Sequence, residues 1–152
     1  MTDERLYCEV IADGIHLHGD AVRLLVRAKG ADKAVAVTDA MEAAGMPEGS
    51  YRLGGSRVLV KGREARLEDG TLAGSVLTMR QALENLIHRF GIPPEDAVRM
   101  CTLTPAQSIG EELAGRICPG APAPLTRWTK DWRMVGIVDQ ASPACNGAAN
   151  RL

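Results

Sequence analysis

Asp13-Gly14-Ile15-His16 and Asp39 are the groups in this chain best placed to do chemistry. The first string closes the apolar run from Tyr7 to Ala12, and Asp39 directly follows Val35-Ala36-Val37-Thr38. Twice, therefore, a strand-like run ends on polar side chains. In parallel α/β proteins, catalytic groups collect where strands end and loops begin, so the two strings read as adjacent walls of one site.

Asp39 at the carboxyl end of a buried strand has two readings of equal weight on position alone. Desolvation and neighbouring groups could tune its proton affinity for general acid–base work, or its carboxylate could cap a following helix. His16 and His18 form a His-x-His pair, which on an extended strand would share one face and could chelate zinc. The turn-prone Asp13-Gly14 before them, and the lack of nearby Cys, Glu or further His, argue against it. A substrate hydrogen bond from His16 and an ordinary, partly exposed His18 fit better, with His88 on a helix surface. Gly70-Thr71-Leu72-Ala73-Gly74-Ser75 could offer backbone amides to a ligand, but it matches neither a phosphate loop nor a dinucleotide fingerprint. By itself it is a turn, as Gly54-Gly55 is a hairpin connection.

The elements that must carry these groups follow from periodicity. Tyr7 to Ala12 predicts a strand. Asp20 to Lys29 predicts a helix with Ala21, Leu24, Leu25 and Ala28 on one face and Gly30 as its stop. Ala34 to Thr38 predicts a second strand, completing a right-handed parallel β-α-β unit. From Met46 to Gly74, glycine and charged residues alternate with short β-prone runs at Arg57–Lys61 and Glu64–Leu67, which predicts a hairpin-rich insertion. Thr78-x-x-Gln81 has capping-box spacing ahead of a helix through Met79, Ala82, Leu83, Leu86, Ile87 and Phe90. Short helices should open at Pro93-Pro94 and Thr104-Pro105. Beyond Gly115 only β-like runs remain, at Leu125–Trp128 and Met134–Val138, before a low-complexity stretch from Ala141 to Leu152.

The bulk numbers bound the function. The 152 residues suffice for one ordinary domain, and 45% apolar content argues against disorder. With 18 Lys and Arg against 19 Asp and Glu and no run of one sign, neither a nucleic-acid partner nor a membrane surface is indicated; a small-molecule site fits better. Cys8, Cys101, Cys118 and Cys145 are widely spread without a Cys-x-x-Cys, and read as reduced thiols, mostly buried and structural. The acidic N-terminal residues carry no export signal and no apolar run spans a membrane, so the expected location is the cytoplasm.

Taken in order, six strings carry a resemblance. Val10-Ile11-Ala12-Asp13-Gly14-Ile15-His16, Arg27-Ala28-Lys29-Gly30, Val37-Thr38-Asp39-Ala40-Met41, Tyr51-Arg52-Leu53-Gly54-Gly55, Asp69-Gly70-Thr71-Leu72-Ala73-Gly74-Ser75 and Leu77-Thr78-Met79 resemble the N-acetylglucosamine-6-phosphate deacetylase family, within the amidohydrolase superfamily. The likeness runs from about residue 8 to about residue 138. It implies hydrolysis of the acetamide of N-acetylglucosamine 6-phosphate to glucosamine 6-phosphate and acetate. It also implies an α/β fold, namely the C-terminal part of a (β/α)8 barrel, its last two strands and their helices, with part of a small flanking β-sandwich. Under the resemblance Asp39 is the catalytic acid/base, moving a proton from metal-bound water to the leaving amine. Asp13, Gly14, Ile15 and His16 contribute to substrate binding, as do Leu72, Ala73 and Gly74.

Two departures accompany it. Where the family has an Ala-Asp-Leu or Ala-Asn-Leu string, this chain has Ala123-Pro124-Leu125, and proline removes an amide donor there. The family's divalent metal, zinc or iron, is held by a Glu and two His on earlier strands, and nothing here corresponds to them. The expectation is a partial barrel over residues 1–115 with the insertion at about 46–74, sandwich strands over 116–140 and a disordered tail over 141–152. Two strands cannot close a barrel, so the isolated chain should be inactive and poorly soluble or self-associated. Its partners would be an amino-sugar phosphate and either a second copy or a missing N-terminal half. A catalytically dead sugar-phosphate-binding or oligomerisation module, or a gene remnant, is the alternative.

Overall fold

The computed structural model describes residues 3–119 and 124–139. Its first unit is β1 (Cys8–Ile11), α1 (Gly19–Lys29) and β2 (Ala34–Val37), with the two strands parallel and Ile11 opposite Val37. Both strands therefore end at the same level, and the segments leaving them emerge side by side. β2 is buried from Ala34 to Ala36, as expected of a parallel strand covered on both faces.

The ends of α1 are set by local chemistry. His18 is the N-cap, its Nδ1 accepting from the Asp20 amide at 3.3 Å. Asp20 sits in the first turn, and Arg27 and Lys29 in the last, each sign where the helix dipole favours it. Gly30, at φ 72°, ends the helix by donating its amide to Val26 O. The helix face differs from the expected one. Val22 and Val26 are buried and Leu25 packs beside them, whereas Ala21, Leu24 and Ala28 are exposed.

After β2 the chain enters the insertion, an antiparallel sheet of β3 (Gly49–Leu53), β4 (Ser56–Lys61) and β5 (Glu64–Leu67). β3 supplies the strand ahead of the Gly54-Gly55 connection, outside the two β-prone runs that the sequence singles out. Gly54 and Gly55, both at positive φ, make the two-residue hairpin connection between β3 and β4. The sheet has its own small core of Val58, Val60 and Ala65 packed with Met41, Ala43 and Ala73, while Leu59 on the other face is exposed.

Thr78 then caps α2 (Met79–Glu84), its Oγ1 accepting from the Gln81 amide at 3.2 Å. The expected helix through Phe90 is present, but its second half, Asn85–Arg89, is a π-helical turn closed by Phe90 N–H to Asn85 O. α3 (Pro94–Cys101) starts with proline and acid in its first turn, and α4 (Leu103–Ser108) follows. Leu83, Leu86 and Phe90 from the α2 segment, with Ala97 and Met100 from α3, meet Val10, Ala34 and Ala36 in the main core. Thr104, fully buried, satisfies its hydroxyl by donating to Ala31 O at 2.6 Å.

β6 (Pro124–Trp128) and β7 (Met134–Asp139) form a hairpin whose Trp128 packs on the main core. Pro124 stands at the first position of β6, where the missing donor is best tolerated. Ala123 and the stretch from Ala141 onward lie outside the described residues. No helix among the described residues is long and apolar enough to cross a membrane.

Candidate active site

The segment leaving β1 folds into a tight loop organised by one carboxylate. Asp13, 3% exposed, uses Oδ1 to accept from the amides of Ile15 at 2.8 Å and His16 at 3.1 Å. Its Oδ2 lies 2.7 Å from His16 Nδ1. Burial alone would raise the pKa of Asp13, but the Ile15 amide, the His16 ring and the His16 amide outweigh it and hold the carboxyl below its ordinary value. An ionised Asp13 can only accept, so Nδ1 of the half-buried His16 carries the proton and Nε2 is the nitrogen left for a ligand.

The segment leaving β2, with Asp39 two residues past Val37, starts level with this loop, because Ile11 and Val37 are register partners and both strands have just ended. Asp39 adopts φ 47°, a left-handed conformation rare outside glycine though accessible to Asp. Its side chain is exposed, so it is not desolvated as a strand-end carboxylate was expected to be. Nor does it cap a helix: turns follow, with Ala44 N–H bonded to Met41 O.

What fixes the Asp39 backbone is Ser75, 2% exposed, which sequence reasoning placed only inside a turn. The Ser75 amide donates to Asp39 O at 2.8 Å, and Ser75 O accepts from the Met41 amide at 2.9 Å. Its hydroxyl donates to Thr38 O and accepts from the Leu77 amide at 3.1 Å. The strand end is thus stitched to the loop containing Leu72, Ala73 and Gly74. Gly74 runs at φ 67° against Asp39 O, where a Cβ would stand at 3.2 Å. Ala73 is buried in the insertion core, while Leu72 bridges back to Arg66.

A second group of residues absent from the sequence reading sits on the π turn. Asn85 Nδ2 donates to Ala12 O at 2.7 Å, Arg89 Nη1 to Asp13 O at 2.8 Å and Arg89 Nη2 to Gly14 O at 3.1 Å. His88, on the same turn, is exposed as expected.

The His-x-His chelate does not form, since His16 is committed to Asp13 and exposed His18 caps α1. Among the described residues no group of three or more His, Cys, Asp and Glu could hold a metal ion, so these residues do not fit a metal site on their own. Cys101 is mostly buried, and burial pushes its thiol up to about 12. Cys8 is half-buried, whereas Cys118 is exposed and departs from the buried role expected of it; Cys145 lies outside the described residues.

In sequence and fold the chain is similar to known proteins. A profile of the amidohydrolase family matches residues 3–147. A protein of Escherichia coli strain K12, described as a candidate N-acetylgalactosamine-6-phosphate deacetylase, is 40% identical over 124 residues, covering 81% of this chain and 74% of its own length. The N-acetylglucosamine-6-phosphate deacetylase of Lysinibacillus sphaericus is 41% identical over 120 residues, 79% of this chain and 31% of that protein. The crystal structure of N-acetylglucosamine-6-phosphate deacetylase from Pasteurella multocida superposes with a TM-score of 0.84 at 35% identity, over 91% of this chain and 36% of that one. The chain thus spans about a third of the length of the latter two proteins.

Proposed function

Because this chain belongs to the amidohydrolase family, we propose that it forms the carboxyl-terminal part of a deacetylase that hydrolyses N-acetylglucosamine 6-phosphate to glucosamine 6-phosphate and acetate. The observation that carries this reading is the pair of adjacent strand ends, one presenting Asp39 and the other the Asp13–His16 loop, with the Leu72–Gly74 loop bonded to the first through Ser75.

In this reading Asp39 is the acid/base: its exposed carboxylate takes a proton from the attacking water and returns it to the amine nitrogen as the amide C–N bond breaks. His16, with Nδ1 held by Asp13, offers Nε2 to the substrate. In the same reading Gly14 and Ile15, and Leu72, Ala73 and Gly74, also contribute to substrate binding. The zinc or iron that the family resemblance implies would be held by a Glu and two His on earlier strands, to which nothing in this chain corresponds, and no step here is assigned to it.

The remaining expectations belong to this proposal too. Residues 1–115 would be the last two strands and helices of a (β/α)8 barrel with the insertion at about 46–74, and residues 116–140 sandwich strands. The enzyme would act in the cytoplasm.

The test combines this chain with a polypeptide supplying the first two thirds of a related deacetylase. Acetate release from N-acetylglucosamine 6-phosphate is expected only in the mixture, and Asp39→Asn should lower it by about 10²–10⁴-fold, the usual worth of a general acid/base. A folded mixture without activity on either the gluco or the galacto substrate, or an Asn variant as active as the parent, sinks the reading. N-acetylgalactosamine 6-phosphate is included because the E. coli relative carries that name.

A further inference from the structure

Three consecutive carbonyls just past β1, those of Ala12, Asp13 and Gly14, need donors, since the strand pairing has already stopped. All three are met from one place. Asn85 takes the first, and the two Nη atoms of Arg89 take the second and third at 2.8 and 3.1 Å. The fit is close: at Gly14, which runs at φ 72°, a Cβ would lie 2.2 Å from the Arg89 guanidinium carbon. Gly14 is thus favoured by its backbone conformation, and a Cβ there would push the guanidinium off its two carbonyls.

Asn85 and Arg89 are the first and last residues of the π turn, which departs from the α-helical geometry of the preceding Met79–Glu84 segment. π turns are rare and occur frequently at functional sites. The turn carries Leu86, and Phe90 directly after it, into the main core. Its visible product is the three-point grip on the β1 loop.

We propose that Asn85 and Arg89 are positioning residues that lock the Asp13–His16 loop, and through Asp13 fix the imidazole of His16 in the Nδ1-protonated form with Nε2 presented to the ligand. The grip acts on the backbone of Asp13, and the Asp13 carboxylate acts in turn on the amides of Ile15 and His16 and on the His16 ring. Lysine cannot reproduce it, because one ammonium does not span two carbonyls as the planar fork does. The inference rests on the proposed function only for the identity of the ligand that His16 meets.

The test is nuclear magnetic resonance on the full chain, comparing the parent with Asn85→Ala, Arg89→Lys and Arg89→Ala. Long-range proton–nitrogen spectra read the His16 tautomer, with His16→Gln assigning the signal, and amide exchange reads Ile15 and His16. The parent should show one Nδ1-protonated His16 and slow exchange at both amides. Each variant should show a mixed tautomer and faster exchange at Ile15 and His16, with Val10 and the α1 amides unchanged, and Arg89→Lys should fall between the parent and Arg89→Ala. A His16 signal identical to the parent in Arg89→Ala overturns the proposal, as does exchange that quickens equally across the whole chain, which would mark a purely structural role. If Arg89→Ala does not fold, Arg89→Lys and Asn85→Ala decide by the same two criteria. Parallel acetate-release assays on the complemented mixture keep the two readings apart. Tautomer switching in a mixture that never deacetylates leaves the grip standing and removes the ligand, whereas an unchanged tautomer in an active mixture removes the grip alone.

Discussion

Asp13 shows how much one buried carboxylate can organise. It accepts from two amides and an imidazole while 3% exposed, an arrangement that holds only for the ionised form. Its folded pKa lies below the usual value of 3.8. A depressed carboxylate contributes stability that is fully present above about pH 4 and is lost as pH falls through the lowered folded value. Urea midpoints of the parent and of Asp13→Asn should therefore differ most near neutrality and converge below about pH 4; midpoints that stay parallel down to pH 3 would contradict this. Asp13, His16 and Asp39 were legible in the sequence because β-prone runs announce strand ends. Asn85, Arg89 and Ser75 were not, because their partners lie 73, 75 or 76, and 37 residues away. No local pattern encodes a hydrogen bond at that separation.

Between elements, Ser75 is the join, binding the end of β2 to the loop returning from the insertion. Ser75→Ala would keep the two backbone bonds but leave Thr38 O and the Leu77 amide without their side-chain partner in a dry setting. Losing such a partner costs about 1–3 kcal/mol, so the variant should melt earlier by several degrees, while Ser75→Thr, if it fits, should recover part of the loss. Equal melting of the parent and the Ala variant in calorimetry would show that the hydroxyl is dispensable. The elements themselves were mostly legible: both parallel strands, the Gly54-Gly55 hairpin and the Thr78 cap follow from local signals. The buried face of α1 was not. Apolar residues occupy Ala21, Val22, Leu24, Leu25, Val26 and Ala28, so periodicity offers two overlapping faces, and only the packing against the sheet selects Val22 and Val26. The π turn was likewise invisible, since the apolar spacing of Leu83, Leu86 and Phe90 suits an ordinary helix.

At the scale of the whole molecule, two strands form the only parallel sheet among the described residues. A two-stranded parallel pair leaves both outer edges with backbone groups unmatched by another strand. Large apolar side chains also stand exposed, among them Leu24, Ile109, Ile117 and Ile137 at 61, 82, 86 and 64%. The purified chain alone is therefore expected to self-associate, and light scattering should give a mass above that of the 16.2 kDa monomer. Addition of the complementing two thirds should replace that species with a defined complex, whereas a clean monomer at every concentration would count against the shared-barrel reading. The bridge between Ala40 and Ser75 has a last consequence. The chain departs for β3–β5 and comes home at the same point, and that sheet carries its own core, so the excursion is a closed side trip. Lengthening or trimming its far hairpins would alter the detour without moving the doorway, which leaves Asp39 indifferent to how large the insertion grows.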